Sequence, residues 1–328
     1  MPFSDEQFAE MASCFKLAFR GNPESSFHYK KVLDESIDWA KNPLNHILIP
    51  SNPLYPKSLL ELNDFPQVLF VKGNPNTLSE PTVAVVGSRR ASPQGEKVAK
   101  EFSTVLVLSG MTVVSGLAMG IDAAAHLGAI ASGRPQATIA VVGHGVELTY
   151  PASNTALKQE VQEHGCVISE LPIYAAPIAS NFPRRNRLIA ALSKGVWVVE
   201  AALKSGSLIT ARLALELGRE VFATPGSIFS DQTKGCHWLL RQGAKFAECP
   251  QDIMEELDQT SNKLPFNVLQ SNLPFDADEL KLLGWASWWP DQLAEHLRMS
   301  SASLSALLLQ WELNGSVKRL ADGQICRV

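Results

Sequence analysis

No stretch of this 328-residue chain approaches the roughly 18 consecutive apolar residues of a membrane-spanning helix, so no membrane partner is expected. The start, Met1-Pro2-Phe3-Ser4-Asp5-Glu6, lacks the basic stretch and apolar core of a secretory signal. Cysteine is scarce: Cys14, Cys166, Cys236, Cys249 and Cys326 are odd in number, widely spaced and never in a CxxC pair. That pattern excludes a disulfide framework and a zinc knuckle, and it fits idle thiols in a reducing cytoplasm. Gly-Lys-Ser/Thr is absent, so there is no Walker A loop. GxSxG is also missing, and no Ser-His-Asp constellation or catalytic metal cluster is visible. These absences favour a binding protein over an enzyme, with no cofactor and no metal. Disorder is excluded too, because 45% of the residues are hydrophobic and only 19% are charged.

Charge is scarce overall and unevenly placed. The net charge is −4, which by itself argues against a nucleic-acid binder. Residues 1–80 are net −3 and residues 251–328 net −5, whereas residues 81–250 carry 16 basic and 12 acidic side chains, net +4. An anionic ligand therefore belongs with the middle segment.

Phe8, Met11, Phe15 and Phe19 recur at helical spacing, Gly21-Asn22-Pro23 stops that helix, and a second runs through Val32, Ile37 and Trp39. A Pro-rich stretch (Pro43, Pro50, Pro53, Pro56) then reads as linker and loop. From about 65 to 250, short β-branched runs alternate with helical patterns. Strands are expected at Val68–Val71, Val83–Val86, Thr112–Val114, Thr138–Val142, Cys166–Ser169, Val196–Val199 and Glu220–Ala223. Helices are expected at Glu96–Leu108, Asp122–Ala131, Ala152–His164, Arg185–Leu192, Ile209–Leu217 and Cys236–Gln242. Continuous apolar strands alternating with helices mean an α/β fold with a doubly wound, mostly parallel, Rossmann-like sheet. After a polar stretch near 258–274, residues 276–328 show helical periodicity, then two short strands around Asp322-Gly323, which suggests a winged helix.

Ligands of such sheets bind at the carboxyl ends of the strands, which directs attention to the loops that follow them. Gly87-Ser88-Arg89-Arg90-Ala91-Ser92 combines close backbone approach, a hydroxyl and guanidinium forks for phosphate, with helix-start amides adding donors. A plain strand–helix turn is the alternative. Ser115-Gly116-Leu117-Ala118-Met119-Gly120-Ile121-Asp122 is a second Gly-rich turn; Asp122 is expected to cap the helix and His126 to pack. Gly143-His144-Gly145 starts like GxGxxG, but Leu148 stands at the third glycine, so a dinucleotide site is not expected. Phe182-Pro183-Arg184-Arg185-Asn186-Arg187 interleaves cations with an aromatic, which suits a nucleic-acid strand, or else is a solvated charge run. Lys204-Ser205-Gly206-Ser207 through Thr210 forms an anion nest, with Ser207 also expected as a helix cap.

Taken in order, these motifs resemble the DNA-processing protein A (DprA/Smf) family. The resemblance spans about residues 54–250 and the tail. It rests on Leu54-Tyr55-Pro56, Lys72-Gly73-Asn74, Val86-Gly87-Ser88-Arg89, Ser115 to Asp122, Tyr150-Pro151, Phe182 to Arg187, Glu200-Ala201, Ser205 to Thr210, Pro225-Gly226 and Gly243-Ala244. It implies an extended Rossmann fold that binds single-stranded DNA and helps load the RecA recombinase onto incoming DNA in natural transformation. It also implies a cytoplasmic homodimer formed through the Rossmann domain. The family's phosphate-binding arginine falls on Arg89. Gly87, Ser88, Arg90, Gly116, Arg184, Asn186, Arg187, Lys204, Ser205, Gly206, Ser207 and Thr210 are expected to bind DNA with it. The expected organisation is a short N-terminal helical region (1–45), a Rossmann-like DNA-binding domain (46–255), a linker (256–274) and a winged-helix domain (275–328).

Residues 276–328 hold 5 basic and 7 acidic side chains and four of the seven tryptophans, so the tail is expected to serve packing or protein contact rather than DNA reading. Two other functions stay open. One is a nucleotide-processing enzyme of the phosphoribohydrolase type on the same fold, although its Pro-Gly-Gly-x-Gly-Thr turn is absent and Pro225-Gly226-Ser227 stands alone. The other is a protein-interaction scaffold that does not touch DNA.

Overall fold

The computed structural model describes residues 5–19, 25–257, 288–297, 299–313, 317–319 and 323–327. The chain forms two compact units, one up to residue 263 and one from 264 onward. The helix stop at Gly21-Asn22-Pro23, and the expected linker from residue 258 on, lie outside the described residues.

The first unit opens with helices α1 (Asp5–Ala18) and α2 (Ser25–Trp39), followed by strands β1 (Asn45–Leu48) and β2 (Leu69–Gly73). The alternating part then runs β3 (Thr82–Val86), α3 (Pro93–Leu108), β4 (Thr112–Ser115), α4 (Ile121–Ala131), β5 (Thr138–Val141), α5 (Thr155–Glu163) and β6 (Gly165–Ser169). It continues with α6 (Asn181–Leu192), β7 (Gly195–Val198), α7 (Gly206–Glu216), β8 (Glu220–Ala223), α8 (Lys234–Arg241), β9 (Lys245–Phe246) and α9 (Pro250–Glu256). The nine strands make one sheet in the order β1-β2-β6-β5-β4-β3-β7-β8-β9. The seven strands from β6 to β9 pair in parallel, whereas β1 with β2 and β2 with β6 are antiparallel. The chain leaves β3 in one direction through β4, β5 and β6, then returns to place β7 on the other side of β3. The switch point therefore lies between β3 and β7.

Both faces of the central strands of this sheet are buried, which is why those strands read as nearly unbroken apolar runs. In β3, Ala84 and Val86 face a core shared with Leu188 and Ile189 of α6 and Ala211 of α7. Val83 and Val85, one residue out of phase, face a second core with Leu106 of α3, Ala125 of α4 and Ile253 of α9. A third core joins Met11, Phe15, Val32, Leu33 and Trp39 of the N-terminal helices to Ile47 and Phe70 on β1 and β2.

The Pro-rich stretch is more ordered than its composition indicates. Asn45–Leu48 pairs with Leu69–Lys72 as an edge strand, and the prolines stand beyond its ends, where no ladder donor is needed. Helix α6 starts at Asn181 rather than Arg185, because Pro183 is tolerated in a first turn. Asp122 does not cap α4: the cap is Gly120, and Asp122 sits in the first turn. Ser207 does not cap α7: Ser205 does, its side chain accepting from the Ser207 amide.

In the second unit, α10 (Pro290–His296) and α11 (Ser301–Leu313) precede a hairpin of β10 (Val317–Arg319) with β11 (Ile325–Arg327). Leu293, Leu304, Leu308, Trp311, Val317 and Ile325 form its core. Trp288 pairs with Ile325 through two backbone hydrogen bonds of 2.8 Å, adding a third short strand segment. Helices followed by this hairpin make the expected winged helix. Its Trp311 is buried and Trp289 is half exposed; Trp285 and the periodic Leu280 and Leu283 lie outside the described residues.

Candidate nucleic-acid interface

A cleft of about 620 Å³ opens at the switch point. Its walls are the loop after β3, the loop after β7 with the start of α7, and the first two turns of α6. The two loops are tied together, since the Ser88 amide donates to the Glu200 carbonyl at 2.7 Å. The Ser88 hydroxyl accepts from the Arg90 amide at 3.1 Å, which shapes the turn that carries Arg89 and Arg90 outward. Both arginines are exposed at the cleft mouth, as is Lys204 opposite them.

The floor is built on Arg185. This side chain is buried, and its guanidinium donates to the carbonyls of Gly116 (2.9 Å) and Val141. Burial lowers its pKa to about 10, with Arg89 adding to the effect and Asp122 opposing it, so it stays a cation at neutral pH. Asp122 lies beside it and accepts the Gly116 amide at 3.1 Å. Burial pushes the Asp122 carboxyl up, while Arg185 and the amides of Ala118 and Gly116 hold it down. Gly116 is required here: a Cβ at that position would lie 2.5 Å from the Arg185 guanidinium. Gly120 adopts φ +74°, and a Cβ there would meet the Ser88 carbonyl at 2.3 Å.

An aromatic pair closes one side. The Arg89 guanidinium carbon stands 5.5 Å from the centre of the Phe182 ring, within cation–π range. Tyr150 packs on Phe182 with ring centres 5.4 Å apart. Across the cleft, Asn186 donates to the Gly206 carbonyl at 3.3 Å, and the Ser205 and Ser207 hydroxyls are 2.7 Å apart. Thr210 and Gln232 complete that wall. The lining thus carries Arg89, Arg90, Arg185 and Lys204 against one carboxylate, Asp122, which is committed to the floor. The site is a cationic cleft with an aromatic face. Among the described residues no group of three or more His, Cys, Asp or Glu side chains could hold a metal ion.

The sequence profile of DNA recombination-mediator protein A matches residues 46–258, well over half the chain. This chain belongs to that family. The profile of the DprA winged helix domain matches residues 278–323. Protein Smf of Escherichia coli strain K12 is 38% identical over 315 residues, spanning 90% of this chain and 81% of that protein. The DNA processing protein DprA of Streptococcus pneumoniae is 45% identical over 208 residues, spanning 62% of this chain and 71% of that one. Two solved structures share the fold. DprA from S. pneumoniae has a TM-score of 0.65 at 39% identity, covering 75% of this chain and 86% of that one. DprA from Helicobacter pylori, described for its single-stranded DNA binding mode, has a TM-score of 0.58 at 30% identity, covering 66% and 96%.

In this member of the recombination-mediator family, the residues expected from sequence do not all meet. Gly87, Ser88, Arg89, Arg90, Asn186, Lys204, Ser205, Gly206, Ser207 and Thr210 line the cleft. Gly116 lines a smaller adjoining cavity of about 40 Å³, shared with Arg89, Tyr150, Phe182 and Arg185. Arg184 and Arg187 do not line the cleft. Arg187 is buried in an ion pair with Glu170 at 2.6 Å and with Asp64 at 3.0 Å, and Arg184 reaches the same Glu170 at 3.5 Å. Of the amides at the start of α3, expected to receive phosphate, those of Ser92 and Gly95 are taken by Glu200 and the Ser92 hydroxyl.

Sequence reasoning left Arg185, Tyr150, Phe182 and Asp122 out of the site residues. The signal for Arg185 and Phe182 was helical phase. With α6 starting at Asn181, positions 182, 185, 186 and 189 fall on one face, and all four line the cleft. Arg184 and Arg187 fall off that face.

Proposed function

We propose that this chain binds single-stranded DNA in the switch-point cleft and, as a recombination mediator, helps load the RecA recombinase onto incoming DNA in natural transformation. The observation that carries this reading is the Arg89–Phe182–Tyr150 arrangement, a cation and two rings at the mouth of a cleft lined by three further cations. Cations serve the phosphates of any strand. A ring face serves a base only when that base is unstacked, which favours a single strand over a duplex. The H. pylori relative, described for its single-stranded DNA binding, supports the same reading. The family description supports a role in recombination. The protein then acts by binding rather than by turnover, in the cytoplasm, as a homodimer through the Rossmann-like unit.

The test is fluorescence anisotropy of a labelled poly-dT strand and a matched duplex, titrated across salt. Tight, salt-sensitive binding to the strand with weak duplex binding is the expected result, followed by faster RecA assembly on that strand when the protein is added. No binding to poly-dT at low salt overturns the reading. Release of free base from a nucleotide by the purified protein replaces it with a phosphoribohydrolase.

A further inference from the structure

We propose that the two N-terminal helices set the geometry of the aromatic side of the cleft, with Glu147 as the positioning residue through which Trp39 acts on Tyr150 and Phe182. This rests on the single-strand reading of the cleft.

The loop between β5 and α5 connects the two regions. Its start packs on the Phe182 ring: a Cβ on Gly143 would stand 3.1 Å from Phe182 Cδ1. Its end carries Tyr150 onto the same ring from another side. Both ends therefore touch the residue over which Arg89 lies. The middle of the loop belongs to the N-terminal helices. Val146 is buried in the core formed by Met11, Phe15, Val32, Leu33 and Trp39. The Trp39 indole N–H donates to Glu147 Oε1 at 2.6 Å. Lys72 of β2 donates to both oxygens of that carboxylate, at 2.7 and 2.9 Å. Beneath, Lys158 of α5 donates to the carbonyls on either side of Glu147, Val146 at 2.5 Å and Leu148 at 2.6 Å. The Glu147 amide donates to the Ile173 carbonyl at 3.0 Å.

Glu147 is thus held at its carboxylate, its amide and both neighbouring carbonyls. It lies three residues from Tyr150, too few to absorb a shift without moving that ring. A carboxylate that takes a tryptophan N–H and a bidentate lysine is a strong, directional anchor. Of these partners, only Trp39 comes from the N-terminal helices. Trp39 is the hydrogen-bond link by which α2 reaches Glu147 and, through it, Tyr150 and Phe182. The Arg89 guanidinium borders this linkage, because it lies over Phe182, but Arg89, Arg90 and Lys204 are carried by other loops, after β3 and β7. The consequence is specific: the N-terminal helices tune contact with bases far more than contact with phosphates.

The experiment uses the full chain, a dT strand, and an abasic strand of equal length that keeps the phosphates and lacks the bases. Trp39→Phe keeps a ring in the core and removes the N–H. The expected result is about threefold weaker binding of dT, a clearly smaller loss for the abasic strand, and no further loss when Trp39→Phe is added to Tyr150→Ala. Glu147→Leu, which is of similar volume and cannot accept the Trp39 N–H, gives the same pattern and serves where Trp39→Phe does not fold. Equal losses for both strands mean general destabilisation and overturn the proposal, as do full additivity with Tyr150→Ala or an unchanged dT affinity. A wild-type protein that fails to bind dT at all overturns the single-strand reading instead, so the two failures are told apart.

Discussion

The Glu200 carboxylate holds Ser92 at two atoms, accepting its amide at 2.8 Å and its hydroxyl at 2.5 Å. The same hydroxyl accepts the Gly95 amide at 3.0 Å and so caps α3. A carboxylate at a helix start is favourable in the field of the helix, and here it comes from the loop after β7. The protein's own groups therefore take the Ser92 and Gly95 amides, so on the proposed reading phosphate falls chiefly to the side chains of Arg89, Arg90 and Lys204. Glu200→Ala is expected to cost about 1–2 kcal/mol of stability through the missing support for that cap. Urea denaturation measures it, and a midpoint equal to wild type would show that the joint contributes nothing.

Arg89 lays a flat face over Phe182, and on the proposed reading it also brings charge toward phosphate. Arg89→Ala removes both. Its affinity for poly-dT is expected to fall about tenfold, and the slope of log K against log salt to shrink by roughly 0.7 for each phosphate left without its cation. Arg89→Lys keeps the charge and loses the planar stack, so the slope should persist while affinity falls about threefold. Anisotropy at several salt concentrations separates the two. An Arg89→Ala protein with wild-type affinity at every salt would remove Arg89 from the site.

What could be read from the sequence follows from burial. Strands β3 to β8 were readable because both faces are covered, so their β-branched runs are unbroken. The edge strand β1 was not, because Asn45-His46-Ile47-Leu48 is short, half polar and set among prolines. The loops around Gly87–Arg90 and Lys204–Thr210 could be expected to line one cleft, as they do, because strand ends at a switch point are where open sheets bind ligands. Helix α6 was harder. Composition shows three arginines within four positions, but a helix turns about 100° per residue, so only its starting phase tells Arg185 from its neighbours. The Glu147–Trp39 bond was invisible for a different reason: it joins residues 108 positions apart on surfaces with no shared pattern.

Arg187 and Glu170 form a buried pair at 2.6 Å, and burial pushes the Glu170 carboxyl up against the pull of Arg187. Arg187→Ala leaves that buried carboxylate with only the largely exposed Arg184 at 3.5 Å, and an expected loss of about 3 kcal/mol in stability follows. Arg184 is largely exposed and contributes a screened contact, so Arg184→Ala should change stability by less than about 0.5 kcal/mol. Neither side chain lines the cleft, and the folded fraction of each variant should bind poly-dT as the wild type does. Urea midpoints with anisotropy on the same samples decide it. A large affinity loss in Arg184→Ala at unchanged stability would return that residue to the DNA path.

His126 is expected to make the fold sensitive to acid. It is fully buried, and its Nδ1 stands 2.7 Å from the Thr138 hydroxyl. That hydroxyl donates its one hydrogen to the Val113 carbonyl at 3.0 Å, so it must accept from His126, which puts the ring proton on Nδ1. Nε2 is then a bare lone pair in the interior with no hydrogen-bond partner. Adding a proton there buries an unpaired charge beside Arg185, which is why burial first, and Arg185 second, lower the pKa to about 3. The folded value lies below the ordinary histidine value of about 6.5, so the stabilisation is complete above that pH and fades as pH falls toward 3. Stability should drop by about 1.4 kcal/mol per pH unit through this window from His126 alone. His126→Asn, which cannot titrate there, should be less stable at pH 7 and lose less between pH 6.5 and 4.5. Parallel slopes for the two proteins in urea denaturation across that range would show that the histidine takes up its proton without cost.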